Sequence, residues 1–337
     1  MRPPAPPRAA LELDVHGLRI SVRTDWDEVA DAVRRDFQFF ERDGGAPDVV
    51  IDVERREPDY DALGEADAAF VTPRNVVYQQ GARTIVDYSG RAVSVLERGR
   101  GRLLIQGDSD QLVHEALYLF LLSRAGEHLD GLGLTRVHAL ALSGRAGAVA
   151  VLLPSGGGKS TLALRALGSD GIRLLAEDTP LLDRRGFLHP FPVRLAINAS
   201  DARRFGELHV HRIERMEFHP KLLLDPEEFR AHIESEPQPL AHIVIGRRAL
   251  GRAAGLEELP RRAAVGPLLR EAVVGVGVYQ GMEFVLQRGL RDVGAKAGVA
   301  TRRALNCSAA VRRARVWRLT LGRDEERNWE TLAPLLR

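Results

Sequence analysis

The sequence predicts an α/β protein, and three observations carry that prediction. An apolar run at 148–153 leads directly into a glycine-rich turn and then into the helical pattern 162–167, giving strand, loop and helix in that order. Over residues 11–106, short segments alternate apolar and polar positions at the two-residue period of half-buried strands. The length of 337 residues with 45% hydrophobic content is enough for two domains with their own cores. The expected architecture is an amino-terminal, mostly antiparallel α/β module over 1–130, followed over 131–337 by a phosphate-loop core with a carboxyl-terminal α/β extension.

In the first module strands are expected at 18–22, 49–53, 76–78, 84–88, 93–96 and 103–105. One helix, 26–40, interrupts them, with Asp25 placed to cap its amino end. A second helix, 110–125, has Asp108 or Ser109 as its cap and repeats Leu112, Ala116, Leu119 and Phe120 at helical spacing. Gly131-Leu132-Gly133 closes that segment and marks the expected boundary.

The core opens with 138–142, turns at 143–147 and returns as 148–153, a hairpin signal. A turn centred near Arg145 sets His138 opposite about Leu152, at the mouth of the following loop. A lone histidine in a strand commonly packs or faces solvent; this one is aimed by register at the loop.

Residues 154–161 read Pro154-Ser155-Gly156-Gly157-Gly158-Lys159-Ser160-Thr161. Glycines let backbone N–H groups turn inward on a polyphosphate, the helix dipole adds positive potential, Lys159 adds a full charge, and the Ser160 hydroxyl can reach Mg²⁺. The usual pattern has glycine where Leu153 stands. The competing interpretation is a glycine-rich turn that happens to contain Lys and Ser. Lysine occurs only at 159, 221 and 296 among 48 basic residues. Its retention at 159 suits a site that needs a compact ammonium rather than a planar guanidinium. Lys221, and Arg194 after Phe191-Pro192, are secondary candidates for phosphate or substrate contact, with a surface role as the alternative.

After the loop helix, with Gly168 as its C-cap, the strand 171–176 ends in Glu177-Asp178. Two carboxylates at the end of a buried strand are costly to desolvate unless a cation or a reacting hydroxyl uses them. A crossover of this length predicts that the strand lies beside the loop strand, with both carboxylates at the ligand-binding end of the sheet near Lys159. The alternative is an ordinary strand end running into an Asp-Thr-Pro turn.

Further along, strands are expected at 187–191, 193–197, 243–245 and 316–321, and helices near Ala202, at 226–233, within 261–305 and at 325–336. His209, His211 and His219 have no cysteine partner and no helical metal-binding spacing, so surface or packing roles are favoured over zinc. Cys307 excludes an internal disulfide and is expected as a small core residue in a reducing compartment. A net charge of +2 with interspersed signs does not indicate a nucleic-acid surface, and the cluster at 311–316 is expected to be a solvated helix end. Apolar runs are too short to span a bilayer and the Pro-rich start lacks a signal-peptide core, so a cytoplasmic protein with no membrane partner is expected. A homo-oligomer is left open.

His138, the loop Ser155-Gly156-Gly157-Gly158-Lys159-Ser160 and the pair Glu177-Asp178 together resemble the catalytic core of the HPr serine kinase/phosphorylase family, which is related in fold to ATP-dependent phosphoenolpyruvate carboxykinase. The intervals agree: 21 residues from His138 to Lys159 and 19 from Lys159 to Asp178. The resemblance covers roughly 134–197, including Pro190-Phe191-Pro192, and implies a kinase that uses ATP and Mg²⁺. It implies that the loop 154–161 holds the phosphates, that Ser160 holds the metal, and that Glu177 and Asp178 divide metal coordination and proton acceptance beside His138. Family proteins carry Asp at both positions, so Glu177 leaves open which residue is base and which is ligand. No Glu-x-Arg-Gly-x-Gly stretch follows Asp178, so HPr itself is not the expected substrate. A serine-type hydroxyl on a peptide, protein or small molecule is.

The competing function is a non-catalytic ATP-binding accessory protein in peptide maturation that kept the loop and lost turnover. A GTPase or transport ATPase is disfavoured, because neither Asn-Lys-x-Asp nor Leu-Ser-Gly-Gly-Gln occurs.

Overall fold

Eight strands of the amino-terminal half form one sheet in the order β1-β2-β3-β8-β7-β6-β5-β4. The computed structural model describes residues 9–154, 156–197, 209–213, 221–251, 253–274, 281–285 and 290–337. The chain is a mixed α/β protein whose contacts divide it into two units. One gathers Met1–His128, Arg212–Lys221 and Gly281–Asp292; the other gathers Leu129–His211, Leu222–Gln280 and Val293–Arg337.

In the first unit the strands are β1 (Ala9–Val15), β2 (Leu18–Arg23), β3 (Val49–Arg55), β4 (Ala68–Val71), β5 (Val76–Gln80), β6 (Arg83–Asp87), β7 (Ala92–Glu97) and β8 (Arg102–Gly107). All neighbours pair antiparallel except β2 with β3 and β3 with β8. The β2–β3 pair is parallel because helix α1 (Asp27–Phe37) carries the chain back between them. β1 carries the alternation Leu11-Glu12-Leu13-Asp14-Val15, with its apolar residues buried; β4 had no clear sequence signal, being short with two exposed and two half-buried residues.

Helix α1 buries Val29, Ala30, Val33 and Phe37, and its acidic first turn and basic last turn suit the helix dipole. Asp25 is not its cap. The N-cap is Trp26, whose side chain is buried and whose indole N–H donates to Asp110 Oδ1 at 3.1 Å, so packing rather than capping chemistry sets the boundary. Helix α2 (Asp110–Gly131) is longer than periodicity indicated. Of its two candidate caps, Ser109 makes the contact, its Oγ accepting from Leu112 N–H at 3.5 Å.

The second unit contains β9 (Thr135–Arg136), β10 (Leu140–Gly144), β11 (Gly147–Leu152), helix α3 (Lys159–Leu167), β12 (Arg173–Ala176), β13 (Leu181–Leu182) and β14 (Phe187–His189). The expected strands at 187–191 and 193–197 are thus shorter, the latter reduced to β15 (Ala196–Ile197), which joins β16 (Val210–Ile213) and β17 (Lys221–Leu224) in a small sheet. The expected helix at 226–233 is two 3₁₀ turns, Pro226–Glu228 and Arg230–His232. The long strand β18 (Gln238–Arg248) and β19 (Gly255–Leu259) precede helices α4 (Val265–Leu269) and α5 (Leu290–Arg313), strand β20 (Arg315–Leu321) and helix α6 (Glu325–Leu332). The helix expected near Ala202 lies outside the described residues.

β10 and β11 form the expected hairpin, with Leu140 opposite Val151 and Gly144 opposite Gly147. β11, β18 and β20 run parallel and adjacent. One expectation is corrected: β12 does not lie beside β11 but pairs antiparallel with β10, which separates the two. The hairpin partner already occupies that edge of β11, so the returning strand takes the next free edge. β12 still runs in the direction of β11, and its carboxyl end stays at the same end of the sheet. The core of this unit includes Val137, Ala150, Ile243, Ala310 and Val316, with Cys307 fully enclosed among them.

No helix among the described residues is long and apolar enough to cross a membrane.

Candidate active site

β11 runs out at Leu152, and Leu153 to Gly158 turn the chain into α3. Gly157 N–H donates to Pro154 O at 2.9 Å, closing the turn so tightly that a Cβ at 157 would lie 2.8 Å from that oxygen. Gly158 has φ of 107°, a conformation L side chains rarely adopt, and its carbonyl accepts from Leu162 N–H at 3.1 Å. Pro154 and Gly156 are exposed, whereas Ser160 and Thr161 on the first turn of α3 are half-buried. Ser155 lies outside the described residues.

Lys159 begins α3 with its side chain turned inward and only 7% exposed. Its ammonium donates to Leu153 O at 3.2 Å, and lies 2.6 Å from His138 Nε2 and 3.3 Å from Asp178 Oδ1. His138 Nε2 is also 3.1 Å from Asp178 Oδ1. Backbone pairing explains the meeting: Val137 N–H donates to Pro180 O and Ala139 N–H to Asp178 O, both at 3.0 Å, so the segment before β10 zips onto the one after β12. The strand expected from residue 138 begins only at Leu140, and the register in which Leu140 faces Val151 would set His138 level with Leu153 rather than Leu152, so this bridge and not the hairpin pairing holds His138 in place.

Glu177 takes the other direction. Its Oε1 accepts the Ser160 hydroxyl proton at 2.6 Å. The two adjacent carboxylates therefore take different partners, Glu177 the Ser160 hydroxyl and Asp178 the His138 ring and the Lys159 ammonium.

A sixth residue completes the cluster. Glu271, 133 positions from His138, accepts from His138 Nδ1 at 2.8 Å, and its main-chain oxygen accepts from His138 N–H at 3.2 Å. It sits in a π-helical turn, Arg270–Val274, and is buried; Arg270 Nε donates to its other carboxylate oxygen at 3.0 Å. Sequence reasoning missed Glu271, because an isolated Glu in an apolar helical stretch carries no pattern that links it to a distant histidine.

Burial alone would raise the Asp178 pKa, but the His138 hydrogen bond and the Lys159 charge outweigh it and hold the carboxyl at about 2. Burial pulls His138 down, while Asp178 and Glu271 outweigh that and the opposing lysine charge, so its net shift is upward. Two protonated nitrogens do not approach to 2.6 Å without one presenting a lone pair. With the Nδ1 proton given to Glu271, Nε2 is the acceptor for Lys159. A second proton on Nε2 would instead be donated to Asp178.

Ser160, Glu177 and Asp178 offer hydroxyl and carboxylate oxygens, the hard donors that Mg²⁺ takes. No group of three or more His, Cys, Asp or Glu that could hold a metal occurs among the described residues. The donor set suits an ion that keeps waters and takes its remaining ligands from phosphate, not a caged metal.

Arg194 is half-buried in the coil before β15, and Lys221 begins β17. His209 and His211 pair with Glu228 and Asp225 at 2.6 and 3.1 Å, as surface histidines do; His219 lies outside the described residues. Neither a protein-family model nor a curated protein matches the chain.

Proposed function

We propose that the chain is an ATP-dependent kinase of the HPr-kinase-related type, built on a P-loop core like that of phosphoenolpyruvate carboxykinase. It transfers the γ-phosphate to a serine-type hydroxyl of a peptide, protein or small molecule. The observation that carries this reading is the convergence of Asp178 on Lys159 and His138, at 3.3 and 3.1 Å, beside the Ser160–Glu177 pair at the end of the glycine turn.

In this reading the loop amides and Lys159 bind the phosphates, and Asp178 is the base. The acceptor O–H gives its proton to Asp178 as its oxygen bonds to the γ-phosphorus, and the bond from that phosphorus to the bridging oxygen breaks to release ADP. Phosphoryl transfer needs chiefly alignment and charge stabilisation, and these groups supply both in kind. Mg²⁺ held by Ser160 and Glu177 would neutralise phosphate charge. The division of the acid pair supports Glu177 as ligand and Asp178 as base, since a carboxylate already against Lys159 and His138 stays ionised at neutral pH.

The test is transfer of labelled γ-phosphate to candidate peptides and free serine. Lys159→Ala and Asp178→Asn are expected to lose transfer by about 100-fold or more, the scale of a general base or of a charged transition-state contact. Transfer by both variants at the parental rate would overturn the role assignment. ATP binding by titration calorimetry without transfer to any acceptor would favour the accessory protein instead.

A further inference from the structure

We propose that Glu271 is a positioning residue of this site, fixing the tautomer and orientation of the His138 ring so that Nε2 faces Asp178 and Lys159. The inference rests on the kinase reading for its consequence, but not for its geometry.

Glu271 holds His138 twice, by the ring nitrogen Nδ1 and by the main-chain N–H, at 2.8 and 3.2 Å. Two attachments from one residue hold the ring against flipping and the main chain of His138 in place. A carboxylate is acceptor-only when ionised, so the Nδ1 contact places the proton on Nδ1 and the lone pair on Nε2. Three of the charged groups around the ring fit that assignment: Lys159 donates to Nε2, Glu271 accepts at Nδ1, and Arg270 donates to the Glu271 oxygen that His138 does not use. Asp178, 3.1 Å from Nε2, accepts from the ring only when Nε2 takes a second proton.

The backbone offers independent support. Glu271 belongs to a π-helical turn between α4 and the residues that follow. Such turns are rare and recur at functional sites, because the wider register re-aims a side chain that regular helix would point elsewhere. Here the side chain so aimed is a buried carboxylate, an expensive group to keep in a core unless it is hydrogen-bonded on both oxygens, as this one is. Carboxylates behind functional histidines in other sites fix which nitrogen acts, and losing such a partner costs 10- to 100-fold.

The experiment is ¹⁵N NMR of the ring nitrogens in histidine-labelled protein, at a pH where His138 is neutral, with His138→Gln for assignment. The parent is expected to carry its proton on Nδ1. Glu271→Ala should mix the tautomers and lower kcat for phosphate transfer by about 10- to 100-fold with the KM for ATP unchanged, since Glu271 does not touch the loop. Glu271→Asp should recover part of both signals. Glu271→Gln guards against a folding failure: its single oxygen cannot serve both Arg270 and His138, so the Nδ1–H population should fall in a near-isosteric core.

A parental tautomer in Glu271→Ala and Glu271→Gln would overturn the proposal. So would a parental kcat in both where the parent transfers phosphate, and that result would leave the kinase reading standing. If the parent transfers nothing, the NMR comparison alone decides the positioning role.

Discussion

Leu153 lies over Gly246. A Cβ on Gly246 would come within 2.4 Å of Leu153 Cδ2 and 2.6 Å of its Cγ, and Leu153 is 1% exposed. β11 and β18 run side by side, with Leu152 opposite Ile245, so the next position on each strand forms this contact at the root of the glycine turn. A leucine where phosphate loops usually carry glycine is thus accommodated by a glycine on the neighbouring strand. The turn keeps its glycines where the backbone requires them.

This pair should be coupled. Gly246→Ala is expected to destabilise the protein by about 1–3 kcal/mol through overpacking, and Leu153→Ala by about 2–5 kcal/mol through the cavity left. The double variant should cost less than the sum, because the alanine methyl enters space that the leucine vacates. Urea unfolding of the four proteins measures the coupling; strict additivity would show that the contact is not shared.

Ser160→Ala and Glu177→Gln should each raise the Mg²⁺ concentration needed for half-maximal transfer by at least about 10-fold. Lys159→Ala should not be rescued by added Mg²⁺. An unchanged requirement in Glu177→Gln, with a raised one in Asp178→Asn, would exchange the roles of the two carboxylates.

The Asp178 carboxyl titrates at about 2, below its ordinary 3.8, so its ionised contacts favour the folded state. That contribution is present above the unfolded pKa and is lost as pH falls through the folded one. The stability gap between parent and Asp178→Asn should therefore hold near pH 5 and close as pH falls from about 4 to 2. Thermal or urea unfolding across that range measures it. A gap that persists at pH 2 would mean that Asp178 is not held in its ionised form.

Cys307 should be inert in the folded protein. Burial pushes its thiol up to about 12, and it packs inside the core with its S–H toward Leu268 O at 4.0 Å. A thiol reagent should label it only in denaturant, giving a direct probe of opening of the second unit. Prompt labelling of native protein would show that this core is looser than its packing indicates.

The legible parts of the protein were those in which the residues concerned are neighbours in sequence. The run from 148 to 167 contains its own strand, turn glycines and helix, and the hairpin 140–152 carries its register in its turn. Asp25 misled because a buried tryptophan outranked a capping side chain at the start of α1. β4 was silent because a short, half-exposed strand has no apolar alternation. The place of β12 was misjudged because crossover length says which edges are reachable, but not that β10 already occupies one.

The sequence by itself determined the chemistry available at the glycine turn: where backbone N–H groups can turn inward, where a retained lysine stands, and that a hydroxyl and two carboxylates follow at fixed intervals. Only the tertiary structure decided how those groups divide, with Glu177 taken by Ser160 and Asp178 by His138 and Lys159, and that Glu271 stands behind the histidine. The physical reason is distance along the chain. A turn is specified by steric limits on consecutive residues, whereas a contact across 133 positions exists only because many packed side chains offset the entropy of closing the loop between them.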